Sequence, residues 1–387
     1  MSSTDRSAAS DAAPAPAPES APESAPQGTG VVRAFMEQHF LHFNSRETLA
    51  AARAYETHLA AGGKMMLTLA GAMSTAKLGQ IVARLIRAGK VHAITCTGAN
   101  LEEDVFNLLA YNDYYTIDDW RALSADDEKK LYDSGYNRVT DTAIPETVMR
   151  HIEKRLLQRW GSACEQGDRY FPHEYLWDIL RDPSIHEHFQ IPTGDSWMYA
   201  AMEKGIPVYT PGWEDSTTGN MFAAAVFRKD LPHHQCVKTG TEQMEHLMRW
   251  YLANCGRDVA GSGRGEAGPL PGPRPGALPG ALPGALPGAL PGAGAGVGFF
   301  QIGGGIAGDF PICAVPALIQ DLEMDDVPYW GYFAQIGDAP ASYGGYSGAV
   351  PNEKITWGKL DVDTPKFMIQ SDATIVAPLI FGYVLGD

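Results

Sequence analysis

The sequence predicts an α/β fold, with one doubly wound, Rossmann-like, mostly parallel sheet and helices on both faces. Three observations carry that prediction. The apolar run Lys64–Ala70, the amphipathic stretch Ala76–Ala88 and the apolar run Val91–Cys96 form a strand–helix–strand unit, which requires parallel pairing with a right-handed crossover. Both strand ends run into small residues, Gly71-Ala72-Met73-Ser74-Thr75 and Thr97-Gly98-Ala99, which let a backbone approach a dinucleotide closely at a helix N-terminus. Ordinary turns share that composition. Finally, alternation of strand and helix patterns resumes at Val297 and continues to the C-terminus.

Taken in order, residues 1–28 are rich in Ala, Pro and Ser with almost no large apolar side chains, and are expected to form a disordered tail. The remainder, 29–387, reads as one domain. Apolar residues from Val31 to Ala61 recur at helical spacing, predicting two helices joined near Asn44-Ser45 with Gly62-Gly63 as a stop. Tyr111–Arg138 is aromatic and acidic, and Ile144–Trp160 reads as a helix with Pro145 at its start. Gly194–Lys204 is expected to be a helix, Ile206–Thr210 a strand, Glu214–Asn220 the loop after it, and Thr241–Asn254 a further helix. Composition then changes abruptly. Residues 256–296 include four tandem Gly-Ala-Leu-Pro units, and proline at every fourth position excludes a helix or central strand, so this is expected to be a flexible surface insert. Val297–Ile302 is the next strand, followed by the loop Gly303–Gly308, with Pro311 interrupting any helix. Val315–Leu322, Val327–Ile336, Lys366–Gln370 and Thr374–Leu385 complete the alternation.

Composition narrows the function. The 46 acidic against 30 basic residues, net −16, argue against a nucleic-acid surface and suit attraction of small cations, although solubility alone accounts for such a balance equally well. The five cysteines are widely spaced without a C-x-x-C and read as reduced thiols. His186, His188, His233 and His234 lack partners at zinc spacing, so no metal is expected. No run reaches the length of a membrane span and no signal-peptide pattern is present. A cytoplasmic protein is expected.

The chemistry centres on Pro351–Leu360, and within it on Lys359. Read as an extended segment, Ile355, Trp357 and Lys359 share one face, placing an amine beside an indole. A partly apolar setting disfavours the ammonium and frees an amine to attack a carbonyl or imine carbon. This segment, Ser347-Gly348-Ala349, Ser371-Asp372-Ala373, Gly303-Gly304-Gly305 and Thr97–Asp104 together resemble deoxyhypusine synthase, over roughly Met65 to the C-terminus. The resemblance implies that Lys359 forms a covalent imine with an aminobutyl group from spermidine after NAD has accepted a hydride. It further implies an NAD site at Gly71, Ala72, Met73, Ser74, Thr75, Thr97, Gly98, Ala99, Glu103, Asp215, Gly304, Asp372 and Ala373. Amine binding would fall to Glu102, Glu103, Asn220, Asp309, Tyr346, Glu353 and Trp357, in a homotetramer.

Three of those positions depart from the family, which has aspartates at Asn220 and Tyr346 and a histidine at Asp309; Tyr343 likewise replaces an acid. Carboxylates hold ammonium groups through charge-assisted hydrogen bonds, whereas asparagine offers a dipole and tyrosine a π face. The sequence therefore points to an NAD-dependent aminoalkyltransferase of polyamine metabolism with a small amine acceptor, as in a homospermidine-synthase type of reaction. The alternatives are transfer to a lysine of a translation initiation factor, and a catalytically silent NAD- or polyamine-binding protein.

Overall fold

The computed structural model describes residues 30–257, 295–341 and 344–387. The expected tail, all but the ends of the expected insert, and Tyr343 lie outside them. Helices α1 (Val31–His39) and α2 (Phe43–Ala60) lead into β1 (Lys64–Leu69), α3 (Gly79–Arg87), β2 (Ala93–Cys96) and α4 (Gly98–Ala110). A short strand β3 (Tyr115–Thr116), helix α5 (Ala125–Asp133) and strands β4 (Tyr136–Val139) and β5 (Thr142–Pro145) follow. A helical stretch comprises α6 (Glu146–Gln166), α7 (Pro172–Arg181), α8 (Pro183–His186) and α9 (Trp197–Lys204). Then come β6 (Val208–Tyr209), α10 (Thr217–Phe227) and α11 (Gly240–Asn254). The last part holds β7 (Val297–Ile302), α12 (Gly305–Ile312), α13 (Ala314–Pro316), β8 (Tyr332–Gly337), α14 (Glu353–Thr356), β9 (Lys366–Gln370) and α15 (Ala373–Leu385).

Six strands form one parallel sheet in the order β6-β2-β1-β7-β8-β9. Counting only these six, that is the order of dinucleotide-binding doubly wound sheets, with the chain switching direction between β1 and β7. Strand alternation divides the side chains between two cores. Leu67, Leu69, Ile94, Phe300, Ile302 and Ile336 pack in the cluster that includes Tyr55 of α2, Val82 of α3 and Phe381 of α15. Met66, Ala93, Tyr209, Phe299 and Phe333 pack in the other, with Trp250 of α11 and Ile312 of α12. The predicted helices on both faces are present.

Several expectations are corrected. The first two helices are joined at Phe40–His42, earlier than Asn44-Ser45. Ile144 and Pro145 end strand β5, and the helix after them begins at Glu146, because β5 is the centre of a small antiparallel sheet ordered β3-β5-β4. Helix α9 starts at Trp197, where the Ser196 hydroxyl accepts the Tyr199 N–H at 3.0 Å. The loop after β6 ends at Ser216, whose hydroxyl caps α10 by accepting the Gly219 N–H at 3.0 Å, so Thr217–Asn220 is helical. Helix α12 passes through Pro311, which falls in its last turn and removes a single amide donor.

The segment around Lys359 is not extended. Glu353–Thr356 is one helical turn, with Lys354 N–H donating to Pro351 O at 3.1 Å and Gly358 N–H to Ile355 O at 3.0 Å. Gly358 then takes φ 66°, a left-handed conformation that glycine adopts without Cβ strain, and ends the turn. The strand argument for a shared face therefore fails. Lys359 and Trp357 come near each other because the chain coils there.

Candidate active site

The carboxyl ends of β1 and β7 flank a crevice of about 1020 Å3. Its wall includes Gly71, Ala72, Met73 and Thr75 after β1, Gly303 and Gly304 after β7, and Asp372 and Ala373 after β9. Missing side chains make the crevice. A Cβ on Gly304 would lie 2.0 Å from Ser347 Oγ, and Gly71 and Gly303 take φ 59° and 75°. Asn100 anchors the loop by donating to Leu69 O at 3.0 Å and Gly71 O at 2.8 Å while accepting the Ser74 N–H at 2.8 Å. Thr97 Oγ1 donates to Gly71 O at 2.7 Å. Ser74 and Thr97 thus shape the loop through their own hydrogen bonds, and Gly98 opens α4 against Ser216, where a Cβ would meet its side chain at 2.5 Å. Ala99 is in the first turn of that helix.

Bare backbone at the switch point, with α12 and α15 starting at the same edge, suits a dinucleotide. Two cations missed by the sequence reading line the crevice, Lys77 and Arg121. Lys77 takes φ 63°, donates to Asn107 Oδ1 at 2.7 Å, and holds its Nζ 3.9 Å and 4.5 Å from the ring centroids of Tyr111 and Tyr114. Burial lowers its pKa to about 8, with Glu103 opposing. The sequence placed it at the start of the amphipathic stretch Ala76–Ala88, where nothing marks it off from an ordinary exposed helix lysine.

Glu102 and Glu103 differ sharply. Both Glu102 oxygens are taken by the N-terminus of α10, from Thr217 N at 3.0 Å and Thr218 N at 2.7 Å. Glu103 accepts the Tyr114 hydroxyl at 2.9 Å, and burial pushes its pKa up to about 7. Asp215 and Asn220 are exposed on the loop before α10 and on its first turn, outside both the crevice and the cavity described next.

That second cavity, about 630 Å3, brings together Asp309, Tyr346, Glu353, Trp357 and Lys359. Lys359 is 7% exposed and its Nζ donates to Asp309 Oδ1 at 3.1 Å. The Tyr346 and Trp357 ring centroids are 5.5 Å and 6.0 Å from that nitrogen. Trp357 itself is 62% exposed, at the rim. Beside them is Lys354, another residue not singled out from sequence, 3% exposed, with its pKa lowered to about 8 chiefly by burial. Crevice and cavity share a polar wall. Tyr346 hydroxyl donates to Gln301 Oε1 at 3.0 Å, Gln335 Nε2 donates to Gly303 O at 3.1 Å and Ser347 O at 2.7 Å, and Ser347 Oγ accepts the Gly305 N–H at 3.2 Å.

A doubly wound sheet with a glycine-lined crevice at its carboxyl edge, beside a cavity in which a buried lysine pairs with a half-exposed aspartate, defines the class. The deoxyhypusine synthase family profile matches residues 34–251 and 293–384, so the chain belongs to the deoxyhypusine synthase family, whose members are transferases. It is 24% identical over 323 residues to a deoxyhypusine synthase-like protein of Chlorobaculum parvum, covering 82% of this chain and 75% of that one. To a protein of the same description from Thermosynechococcus vestitus it is 27% identical over 362 residues, covering 90% and 77%. A crystal structure of an Entamoeba histolytica protein, provisionally assigned as deoxyhypusine synthase, shares the fold with a TM-score of 0.51 at 11% identity, over 90% of this chain and 91% of that chain. Among the described residues no helix is long and apolar enough to cross a membrane.

Proposed function

We propose that this protein is an NAD-dependent aminoalkyltransferase of polyamine metabolism that carries an aminobutyl fragment on Lys359 and passes it to a small amine, as in a homospermidine-synthase type of reaction. The observation that carries the reading is the Lys359 amine, buried in a cavity with an aspartate oxygen 3.1 Å away. A bound NAD would supply a hydride acceptor for oxidation of the donor amine and a hydride source for reduction of the final imine. Gly71, Thr75, Gly304, Asp372 and Ala373 would hold it in the crevice.

The chain's own groups do the transfer. Lys359 Nζ passes a proton to Asp309, attacks the oxidised donor carbon, and expels the donor's remaining amine, which leaves with a proton. The acceptor amine then attacks the lysine imine carbon and frees Lys359, so the fragment's carbon exchanges one C–N bond for another at each step. Asp309 and Glu353 stabilise cationic amines, and Tyr346 lies alongside the path. Assembly as a homotetramer belongs to the same reading, and Val350, Trp357 and Val362, each more than half exposed, are apolar groups open to a second copy. A cytoplasmic location fits the free cysteines.

The test is product formation. Purified protein with NAD and a panel of di- and triamines should yield a new secondary amine, detected by chromatography, only when NAD is present. Tight amine and NAD binding with no product from any pair would contradict the transferase reading.

A further inference from the structure

Lys354 has a position that plain polyamine chemistry does not explain. Its residue is 97% removed from solvent, and it lines the same cavity as Lys359. Its Nζ lies 4.9 Å from the Phe333 ring centroid, 5.0 Å from that of Tyr346 and 3.5 Å from Ala349 O. Among the described residues no carboxylate oxygen comes within salt-bridge distance of it, whereas Lys359 has Asp309. A buried ammonium is strongly disfavoured unless it is paired.

The charges around the cavity are arranged with two poles. Asp309 of α12 and Cys313 just after that helix face Lys359, and Asp321, at the end of the helical segment Ala317–Asp321, also lines the cavity. Glu353 and Lys354 come from α14, and the Tyr346 ring centroid is 5.0 Å from the Lys354 nitrogen and 5.5 Å from that of Lys359. Glu353 and Asp309 act on Lys354 from a distance and Lys359 opposes them. A plain diamine would bring two cations to a site that already holds two amines. An amine that also carries a carboxylate would satisfy both poles, its ammonium toward Asp309 and Glu353 and its carboxylate toward Lys354.

We propose that Lys354 is an anion-docking residue of the transfer cavity, and that one of the amines bound there is an amino carboxylate. The inference rests on the reading of this cavity as the amine site, and concerns which amine it takes. Tyr346 supports it, since an acid at that position would neutralise Lys354 and remove the anion site, whereas a phenol leaves the ammonium available.

Isothermal titration of the full-length protein at neutral pH with 5-aminopentanoate and with 1,5-diaminopentane, probes of equal chain length, gives a ratio of affinities. The wild type should prefer the amino carboxylate by about tenfold or more, since a charge-assisted hydrogen bond is gained. Lys354→Met should erase that preference without weakening the diamine, and Lys354→Arg should keep it. Equal or tighter binding of the diamine to the wild type overturns the proposal, as does a preference that survives Lys354→Met; the wild-type ratio decides even if that variant fails to fold. An intact, Lys354-dependent preference in a protein that transfers nothing would overturn the transferase reading and leave this one standing.

Discussion

The crevice and the lysine cavity adjoin each other, yet they are built by opposite means. The crevice is made of absences: Gly71, Gly303 and Gly304 leave backbone bare at the point where the sheet's winding reverses. The cavity is made of side chains, with Asp309 brought from α12, Tyr346 from the turn before α14, Lys354 from α14 and Lys359 from the chain just after it. Topology sets where the first lies, and a few glycines keep it open. Single substitutions can rewrite the second, because each of its functional groups is supplied by one side chain.

Variants of the two regions should separate these roles. Lys359→Arg has the largest expected effect. Arginine can still pair with Asp309 but does not form an imine, so transfer should fall by roughly a thousandfold or more while dinucleotide affinity is unchanged. Product assays and dinucleotide titration on the same preparation check both halves. Gly304→Ala should do the converse. Its Cβ would meet Ser347 Oγ at 2.0 Å and Ser347 Cα at 2.7 Å, so the loop must shift, with a cost of about 1–3 kcal/mol and weakened dinucleotide binding. Unaltered dinucleotide affinity would remove the crevice from the cofactor's path.

The buried ionisable groups of the two regions should tilt stability in opposite senses. Glu103 binds its proton more tightly folded, with its pKa pushed up by burial to about 7 from an ordinary 4.5. The folded state therefore holds the extra proton between those values, and stability falls as pH rises through that window. Glu103→Gln should remove this pH dependence, worth about 3 kcal/mol across the window. Lys354 is depressed from 10.5 to about 8, so the unfolded state binds more protons between these values and stability rises with pH there; Lys354→Met should flatten that rise. Denaturant melts at several pH values read both slopes, and identical slopes for parent and variants would show that neither burial persists in solution.

The smallest effect is expected outside both regions. Replacing residues 261–293 with a short Gly-Ser linker should leave turnover unchanged and stability within about 1 kcal/mol, since loop length enters only logarithmically. A large loss of either would tie this segment to the site.

The same contrast explains what could be read from sequence. Strands β1 and β7 and helix α15 were legible because each is a long apolar run bounded by glycine or polar turn residues. The small sheet was not, because β3 has two residues, β4 and β5 four each, and both β3 residues are exposed. The turn at Glu353–Thr356 was read as a strand because four residues are too few to distinguish the two periodicities. Among site residues, Lys359 was legible from its motif, as were the glycines. Lys354 and Lys77 were not, since lysine is ordinarily exposed. The burial of Lys354 is imposed partly by Phe333 on a distant strand, and Lys77 is held by Asn107, Tyr111 and Tyr114 beyond the next strand.

Three lysines with unlike surroundings, Lys77, Lys354 and Lys359, make the site of covalent attachment a direct question. Protein incubated with NAD and spermidine, reduced with borohydride, digested and mapped by peptide mass should carry an aminobutyl group on Lys359 and unmodified Lys77 and Lys354. An NAD-dependent adduct on either of the other two, with Lys359 unmodified, would contradict the assignment of Lys359 as the residue that carries the transferred fragment.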